Sequence, residues 1–315
     1  MLNMKTAAET AIKQCMNLKP DESCVIVTDA ERYPIGKALF DVANEITAET
    51  TIVSYPPGQT NGAEPPASVA AAMAKSDVVL APTTKSLTHT RARTKATEKG
   101  ARVATLPGIT EQIFTEGLDV NYNTIAEHCQ NLRDQVDEAE TVRVKTDLGT
   151  DITFTIGDRE FMSDTGIVHE SGQMSNLPAG EVAVGPTSAD GTFVVDGTMM
   201  PHGLLKNETL TFEVVDGFVE GMSDDRLQKT IDTAAESVGK AAYNIAELGI
   251  GANVAVNELT GSVLLDEKAA GTVHIAIGDD VGMGGDTEAP IHLDGVIRDP
   301  TVYADGEKVT LPTPQ

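Results

Sequence analysis

Short β-branched runs alternate with segments of helical character through the first 110 or so residues, and this alternation limits the folds that the chain can adopt. The runs that favour strands are SCVIVTD (23–29), TTIVSYP (50–56), DVVLAPT (77–83) and ARVATLPG (101–108). The segments between them that favour helices are 35–47, 67–75 and 89–99. Strands that alternate with helices form a parallel sheet that is covered on both faces. The sequence therefore predicts a doubly wound parallel-sheet α/β domain over residues 1–138.

The pattern changes near residue 140, where TVRVKTDLGTDITFTIGD alternates with period two around an LGTD turn and predicts a hairpin. Further short strands follow, separated by glycine and aspartate: EVAVGPT, GTFVVDGTM, TLTFEVVDGFVEGM, YNIAELGIG and GTVHIAIGD. One helix, SDDRLQKTIDTAAESVG, interrupts them, with Ser223 as its predicted N-cap. Residues 139–315 are therefore predicted to form a mainly β (α+β) domain.

The chain is strongly acidic, with 48 Asp and Glu against 23 Lys and Arg and a formal net charge of −25. No basic stripe is present to neutralise phosphates, so nucleic acid and anionic membranes are disfavoured as partners. Cys15, Cys24 and Cys129 lack CxxC spacing, which argues against a disulfide framework and a cysteine zinc site. The start has no apolar signal segment and no run of about 18 apolar residues occurs, so we expect a cytoplasmic protein without a membrane span.

The carboxyl ends of the predicted parallel strands carry polar segments, and doubly wound sheets bind ligands at this edge. His89, in SLTHT, follows one of these strands and is a candidate cleft residue, although exposed helix starts have similar composition. His169 and His202 fall in predicted loops of the second domain and are either further cleft residues or solvated side chains. No GxGxxG or GxxxxGK[ST] follows the first strand, so no nucleotide fingerprint is present.

The segment IHLDG places His292 and Asp294 two residues apart, and positions i and i+2 of a strand share a face. His274, in GTVHIAIGD, is predicted on another strand. If the two strands approach, two imidazoles and one carboxylate meet, a set that suits Zn²⁺, Mn²⁺, Co²⁺ or Fe²⁺. The alternative is a surface His–Asp pair on an edge strand.

Three glutamates lie in apolar or glycine-rich surroundings: Glu181 in NLPAGEVAVGP, Glu247 in NIAELGIG and Glu267 in LLDEKAAG. Buried carboxylates are costly unless they are paired or bound to metal. Together with the histidines and Asp294 they would be enough for two divalent ions and a spare carboxylate as general base, which is the equipment of metal-assisted hydrolysis.

The segments NLPAGEV, AELG, LLDEKAAGTVHIAIG and IHLDG, in this order, resemble the thermophilic-type metalloaminopeptidases, the family of aminopeptidases S and T. The resemblance covers mainly residues 160–310. It implies that the metal ligands are Glu181, Glu247, His274, His292 and Asp294, with Glu267 as the catalytic base. It further implies a homodimeric hydrolase that holds one or two Zn²⁺, Co²⁺ or Mn²⁺ ions and removes N-terminal residues from small peptides by means of a metal-activated water.

His274, His292 and Asp294 are also what a related group requires. These three residues resemble the iron ligands of the 2,5-dihydroxypyridine dioxygenases, which cleave a ring and hold one Fe²⁺ with two histidines and one aspartate. This alternative implies that Glu181, His89 or His169 act as acid–base groups near the iron. A third hypothesis is a non-catalytic metal-binding homologue, because AELG and the long spacing from Glu267 to His274 depart from the peptidase pattern.

Overall fold

The structure is a computed structural model that describes residues 4–315. Its α-helices are α1 (Met4–Glu9), α2 (Tyr33–Asn44), α3 (Ala67–Met73), α4 (Arg91–Glu98), α5 (Glu111–Gly117), α6 (Tyr122–Val136), α7 (Asp225–Val238) and α8 (Val263–Asp266). A π-helix covers Thr10–Cys15, and 3₁₀ helices cover Gly239–Tyr243 and Val281–Met283. Within residues 4–315, no helix combines the length and the apolar character that crossing a membrane requires.

The first nine strands are β1 (Cys24–Thr28), β2 (Thr50–Ser54), β3 (Val78–Thr83), β4 (Arg102–Pro107), β5 (Thr141–Lys145), β6 (Asp151–Thr155), β7 (Met162–Asp164), β8 (Met174–Asn176) and β9 (Glu181–Val184). The other strands are β10 (Ser188–Val195), β11 (Thr198–Met199), β12 (Gly203–Leu204), β13 (Leu210–Val215), β14 (Phe218–Met222), β15 (Ile245–Gly251), β16 (Val273–Gly278), β17 (His292–Ile297), β18 (Thr301–Ala304) and β19 (Glu307–Lys308).

The chain forms two compact units. The first contains the chain up to Ala126 together with Asp164–Ala179, and the second contains Glu127–Ser163 together with Gly180–Gln315. The sequence patterns place the domain boundary at 138/139, which stays a prediction. The segment 164–179 contributes only the three-residue strand β8 to the first unit, and a strand so short carries too little pattern to be assigned from sequence.

The first unit contains a five-stranded parallel sheet in the order β2-β1-β3-β4-β8. Strands β1 and β3 are buried along their whole length, as expected where helices cover both faces of a sheet. The core on one side combines sheet valines with side chains of α3 and α4, among them Val25, Val79, Val69, Met73 and Ala96. The α/β part of the predicted fold class is confirmed.

The second unit is built mainly from two seven-stranded sheets. Their orders are β14-β13-β10-β6-β5-β18-β19 and β12-β11-β17-β16-β15-β9-β7. The predicted hairpin at 141–155 is present, with Val142 opposite Phe154. In the first sheet the Phe193 and Phe212 rings stack with centroids 4.4 Å apart. The mainly β character predicted for this part of the chain is confirmed.

The helix α7 begins one residue later than its sequence predicts. Its N-cap is Asp224, whose carboxylate accepts a hydrogen bond from the Leu227 backbone amide at 2.7 Å, so the assignment of Ser223 is wrong. The Ser223 hydroxyl instead accepts a hydrogen bond from the Thr211 amide at 2.9 Å. Aspartate and serine cap helices equally well, so sequence preference alone does not separate two adjacent candidates.

Candidate metal centre

Four neighbouring strands of the second unit, β9, β15, β16 and β17, bring carboxylates and imidazoles to one face of their sheet. Across β16 and β17, Ala276 lies opposite Asp294, and across β15 and β16 the same Ala276 lies opposite Glu247. Directly opposed residues in neighbouring strands point to the same side. The register, rather than the sequence spacing, therefore places Glu247 beside the His292–Asp294 pair.

Two glycines on this face lie opposite residues of the cluster. Gly249 lies opposite His274, and Gly251 lies opposite Glu181. A Cβ atom on Gly249 would lie 2.0 Å from His274 Nε2, so the imidazole occupies the space that a side chain at this position would fill. The absence of a side chain at Gly249 is therefore a condition for the position of His274.

Glu247 lies between the two imidazoles. Its Oε1 is 3.2 Å from His274 Nε2, and its Oε2 is 3.1 Å from His292 Nε2. His292 Nε2 is also 3.4 Å from Asp294 Oδ1, and His274 Nε2 is 3.3 Å from Glu181 Oε2. Strand β17 lies between β11 and β16, so the alternative of a His–Asp pair on an edge strand is wrong.

The candidate ligands fall into two overlapping groups within the described chain. One group is Glu181, Glu247 and His274, and the other is Glu247, His292 and Asp294; in each, the ligand atoms lie within 4.8 Å of one another. All five residues predicted from the sequence as metal ligands are thus gathered in one place, with Glu247 shared by both groups.

The charges of the cluster are strongly coupled. Burial alone would raise the pKa of Glu247, but hydrogen bonds with His274 and His292 hold it well below its usual value. Burial alone would lower the pKa of His274, but the hydrogen bond with Glu247 and the charge of Glu181 raise it to about 9. Without a metal ion, the carboxylates therefore keep this imidazole protonated at neutral pH.

His292 and Asp294 influence each other in the same way. Burial opposes the charged imidazole, yet the Asp294 and Glu247 carboxylates raise the pKa of His292 well above its usual value. Burial also opposes the Asp294 carboxylate, but His292 lowers its pKa. Without a metal ion, the positive charge beside Asp294 and Glu247 is that of the protonated His292 imidazole, and a metal ion would replace its proton.

Glu267 follows the short helix α8 and completes the cluster. Burial, and then the carboxylates of Asp294 and Glu181, raise its pKa to about 7 against the lowering effect of Lys268. Asp266, the residue before it, is fully buried and accepts hydrogen bonds from the Thr198 hydroxyl, the Gly261 amide and both the amide and the hydroxyl of Thr260. This anchoring of Asp266 holds Glu267 beside the strands.

Lys268 is a member of the site that the sequence patterns missed. Its side chain is 5% exposed, and its Nζ forms ion pairs with Glu181 Oε1 and, at 2.9 Å, with Glu267 Oε1. A lysine in the apolar segment LLDEKAAG is as unusual as the glutamates that drew attention there, because an ammonium is equally costly to bury. A search for lysines and arginines in apolar or glycine-rich surroundings, as was made for carboxylates, would have identified Lys268.

The donor set fits a divalent transition metal. Imidazole nitrogens and carboxylate oxygens are the ligands that Fe²⁺, Mn²⁺, Co²⁺ and Zn²⁺ share. His292 Nδ1 donates a hydrogen bond to the Asp279 backbone carbonyl at 2.7 Å, which orients Nε2 towards the cluster. Metal-binding histidines characteristically have such a partner on the other ring nitrogen.

The remaining candidate histidines have other surroundings. His169 is exposed, and its Nε2 is 2.8 Å from the Gln14 carbonyl within the first unit. His202, in the second unit, has its Nε2 3.1 Å from Asp224 Oδ1, the carboxylate that caps α7. His89 is exposed in the loop between β3 and α4 of the first unit. The roles predicted for these three residues stay predictions.

Comparison with known proteins distinguishes between the functional alternatives. The family model described as "NicX: 2,5-dihydroxypyridine 5,6-dioxygenase" matches residues 3–312. The curated 2,5-dihydroxypyridine 5,6-dioxygenase of Pseudomonas putida KT2440 is 24% identical over 187 residues, which are 55% of this chain and 53% of that enzyme. The chain thus matches about half the length of this curated relative.

Two solved structures share the fold. The structure of 2,5-dihydroxypyridine dioxygenase from Pseudomonas putida KT2440 superposes with a TM-score of 0.79 at 19% identity, over 98% of this chain and 95% of that one. The structure of wild-type AmpT from Thermus thermophilus superposes with a TM-score of 0.69 at 16% identity, over 99% of this chain and 97% of that one. At these identities the likeness concerns the fold alone.

The prediction of a peptide-cleaving metallohydrolase is therefore wrong, since the family model that spans nearly the whole chain describes a dioxygenase. The structure of AmpT shares the fold of this chain, and at 16% identity the likeness extends no further than the fold. Motifs such as IHLDG specify which side chains face a metal, and they do not specify the reaction that the metal catalyses. Matched over residues 3–312, the chain belongs to the 2,5-dihydroxypyridine 5,6-dioxygenase family.

Proposed function

We propose that the protein is a dioxygenase that uses one ferrous ion and O₂ to open a hydroxylated pyridine ring. Two observations support this proposal: the family match over residues 3–312, and the meeting of two imidazoles with carboxylates on one sheet face. The observation that carries it is the position of Glu247, whose two oxygens face His274 Nε2 and His292 Nε2 at 3.2 and 3.1 Å. A cation that took the place of the imidazole protons would be held by both histidines and by Glu247.

We assign His274, His292 and Asp294 as the residues that hold the ion, with Glu247 between the imidazoles. Two histidines and one carboxylate are the donor set of non-haem Fe(II) oxygenases, and they leave coordination positions open. When bound there, ferrous iron supplies sites for a ring hydroxyl and for O₂. The contribution of the protein is to fix the donors from strands β16 and β17, whose register is set by six opposed residue pairs.

Glu267 is the proposed acceptor of a proton from the ring hydroxyl. Its pKa of about 7 means that the carboxyl group can take up and release a proton near neutral pH. Its side chain is 14% exposed, so it is reachable while remaining largely shielded from bulk water. Glu267 thus keeps the role of a base that the sequence predicted, now on a different substrate.

Oxygen uptake tests the proposal directly. Protein purified without oxygen and loaded with Fe²⁺ is mixed with 2,5-dihydroxypyridine in an oxygen electrode, while the ring absorbance is followed in the ultraviolet. We expect equimolar loss of O₂ and of the ring chromophore, which is what a ring-opening dioxygenase requires. Protein loaded with Zn²⁺ should consume no O₂, because zinc has no redox chemistry.

A matched pair of substitutions controls for charge. Asp294→Asn removes the carboxylate of the pair with His292, whereas Asp286→Asn makes the same change at a fully exposed side chain. We expect the first to abolish O₂ uptake and the second to leave it unchanged. Iron-loaded, folded wild-type protein that opens neither this ring nor related hydroxypyridines would contradict the proposed function.

A further inference from the structure

The candidate centre has the layout of a site for two cations. Its two groups of ligands share Glu247, whose Oε1 faces His274 and whose Oε2 faces His292. A carboxylate that presents one oxygen to each of two groups can bridge two ions, as in two-metal sites where the ions lie about 3.5–4 Å apart. A dioxygenase of the proposed kind uses one ferrous ion, so a feature of the chain must disfavour the binding of a second ion.

Lys268 contacts the group that contains Glu181. Its ammonium forms ion pairs with Glu181 Oε1 and with Glu267 Oε1, the latter at 2.9 Å, and the side chain is 5% exposed. An ammonium between two carboxylates at this depth supplies the positive charge that a metal ion would otherwise supply. We propose that Lys268 takes the place of a second divalent cation and so limits the centre to one metal ion.

The backbone holds Lys268 in this position. Its carbonyl accepts a hydrogen bond from the Asn253 amide at 2.8 Å, and its amide donates one to the Leu265 carbonyl at 3.1 Å. Segment 268–269 packs directly against β15 at Gly251, where a Cβ atom would lie 2.0 Å from the Ala269 carbonyl oxygen. The main chain of Lys268 is therefore fixed, and its position places the ammonium beside Glu181.

Formal charges favour the same conclusion. With neutral imidazoles, the cluster contains four carboxylates and one ammonium, so one divalent ion brings its formal charge to within one unit of neutrality. Without the ammonium, two divalent ions are needed to balance the same four carboxylates. Uncompensated charge in a buried site is strongly unfavourable, so removal of Lys268 should favour the binding of a second divalent ion.

Manganese binding tests this inference. Metal-free wild-type protein, Lys268→Ala and Lys268→Gln are dialysed to equilibrium against Mn²⁺, and bound metal and electron paramagnetic resonance spectra are measured. Lys240→Ala is the matched control, because Lys240 pairs with Glu220 on the surface and is 59% exposed. We expect about one Mn²⁺ per chain in wild type and control, and about two in the Lys268 variants, with the spectrum of a spin-coupled pair.

The outcomes separate this inference from the proposed function on which it rests. A single uncoupled Mn²⁺ in the folded Lys268 variants would overturn the inference, and so would two ions in the wild type. Oxygen uptake is not part of the measurement, so a wild-type protein that binds one ion but opens no ring would defeat the proposed reaction alone. Failure of the wild type to bind any ion would defeat both.

Discussion

Gly249 and His274 lie opposite each other in β15 and β16, and the imidazole occupies the space above the glycine. A Cβ atom on Gly249 would lie 2.0 Å from His274 Nε2 and 2.1 Å from its Cε1. The position of this imidazole is therefore set by the absence of a side chain on the neighbouring strand. Because Nε2 is the atom that faces Glu247, the glycine controls the donor set without contributing an atom to it.

Substitution of Gly249 by alanine should strongly weaken metal binding. The methyl group displaces the imidazole of His274. Loss of a hydrogen-bond partner of a metal ligand lowers metal affinity about 10- to 100-fold, and displacement of the ligand itself should lower it further. We expect Fe²⁺ or Mn²⁺ affinity to fall on the order of 100-fold or more, measured by isothermal titration calorimetry. Gly282→Ala is the control, because a Cβ atom at that position has no neighbour within 4 Å. Equal affinity in both variants would contradict this account of Gly249.

Asp266→Asn should destabilise the second unit. The Asp266 carboxylate accepts four hydrogen bonds while fully buried, and an amide nitrogen at either oxygen position would face donors. We expect a loss of about 3 kcal/mol in the free energy of unfolding, measured by urea denaturation followed by circular dichroism. Asp286→Asn, at an exposed side chain, should change it by less than about 0.5 kcal/mol. An Asp266 variant as stable as that control would show that the network contributes little.

The stability of the metal-free protein should fall between pH 7 and pH 9. The pKa of His274 is raised from 6.5 to about 9 in the folded state. A raised pKa contributes stability that is fully present below the unfolded value and is lost as the pH rises through the folded one. Thermal unfolding across this range should show the decline in wild type and a smaller one in His274→Gln. A flat profile in the metal-free wild type would contradict the assigned protonation of His274.

Metal binding should release protons at neutral pH. Because His274 is protonated in the metal-free state at pH 7, a divalent ion must displace its proton. Calorimetric titrations with Mn²⁺ in buffers of different ionisation enthalpy measure the number of protons released. We expect at least about one per ion bound at pH 7, with apparent affinity increasing towards pH 9. Binding heats that do not depend on the buffer would mean that the imidazole is already neutral.

Much of the fold was predictable because its signals are local. The strands β1 to β4 and their helices appear within a few residues of the predicted bounds. Continuous apolar runs identify β1 and β3, which are buried along their whole length. The β5–β6 hairpin is visible from its period of two and its turn. Strand β8 and the helix α8, with three and four residues, are too short for periodicity to reveal them.

The candidate site was predictable in composition but not in chemistry. Carboxylates and histidines in apolar runs pointed to Glu181, Glu247, Glu267, His274, His292 and Asp294, and the structure gathers these residues in one cluster. The reaction inferred from these motifs was wrong, because the family model that matches residues 3–312 describes a dioxygenase, and a shared fold does not specify a reaction.

The sequence by itself determined where the longer strands form and, through the spacing of His292 and Asp294, that these two side chains share a face. Only the tertiary structure decided that Glu247 lies between two imidazoles and that Lys268 reaches Glu181, which is 87 residues away in the chain. Periodicity acts between neighbours in sequence, whereas the composition of the centre depends on the register of four strands and on two glycines that admit His274 and the 268–269 backbone.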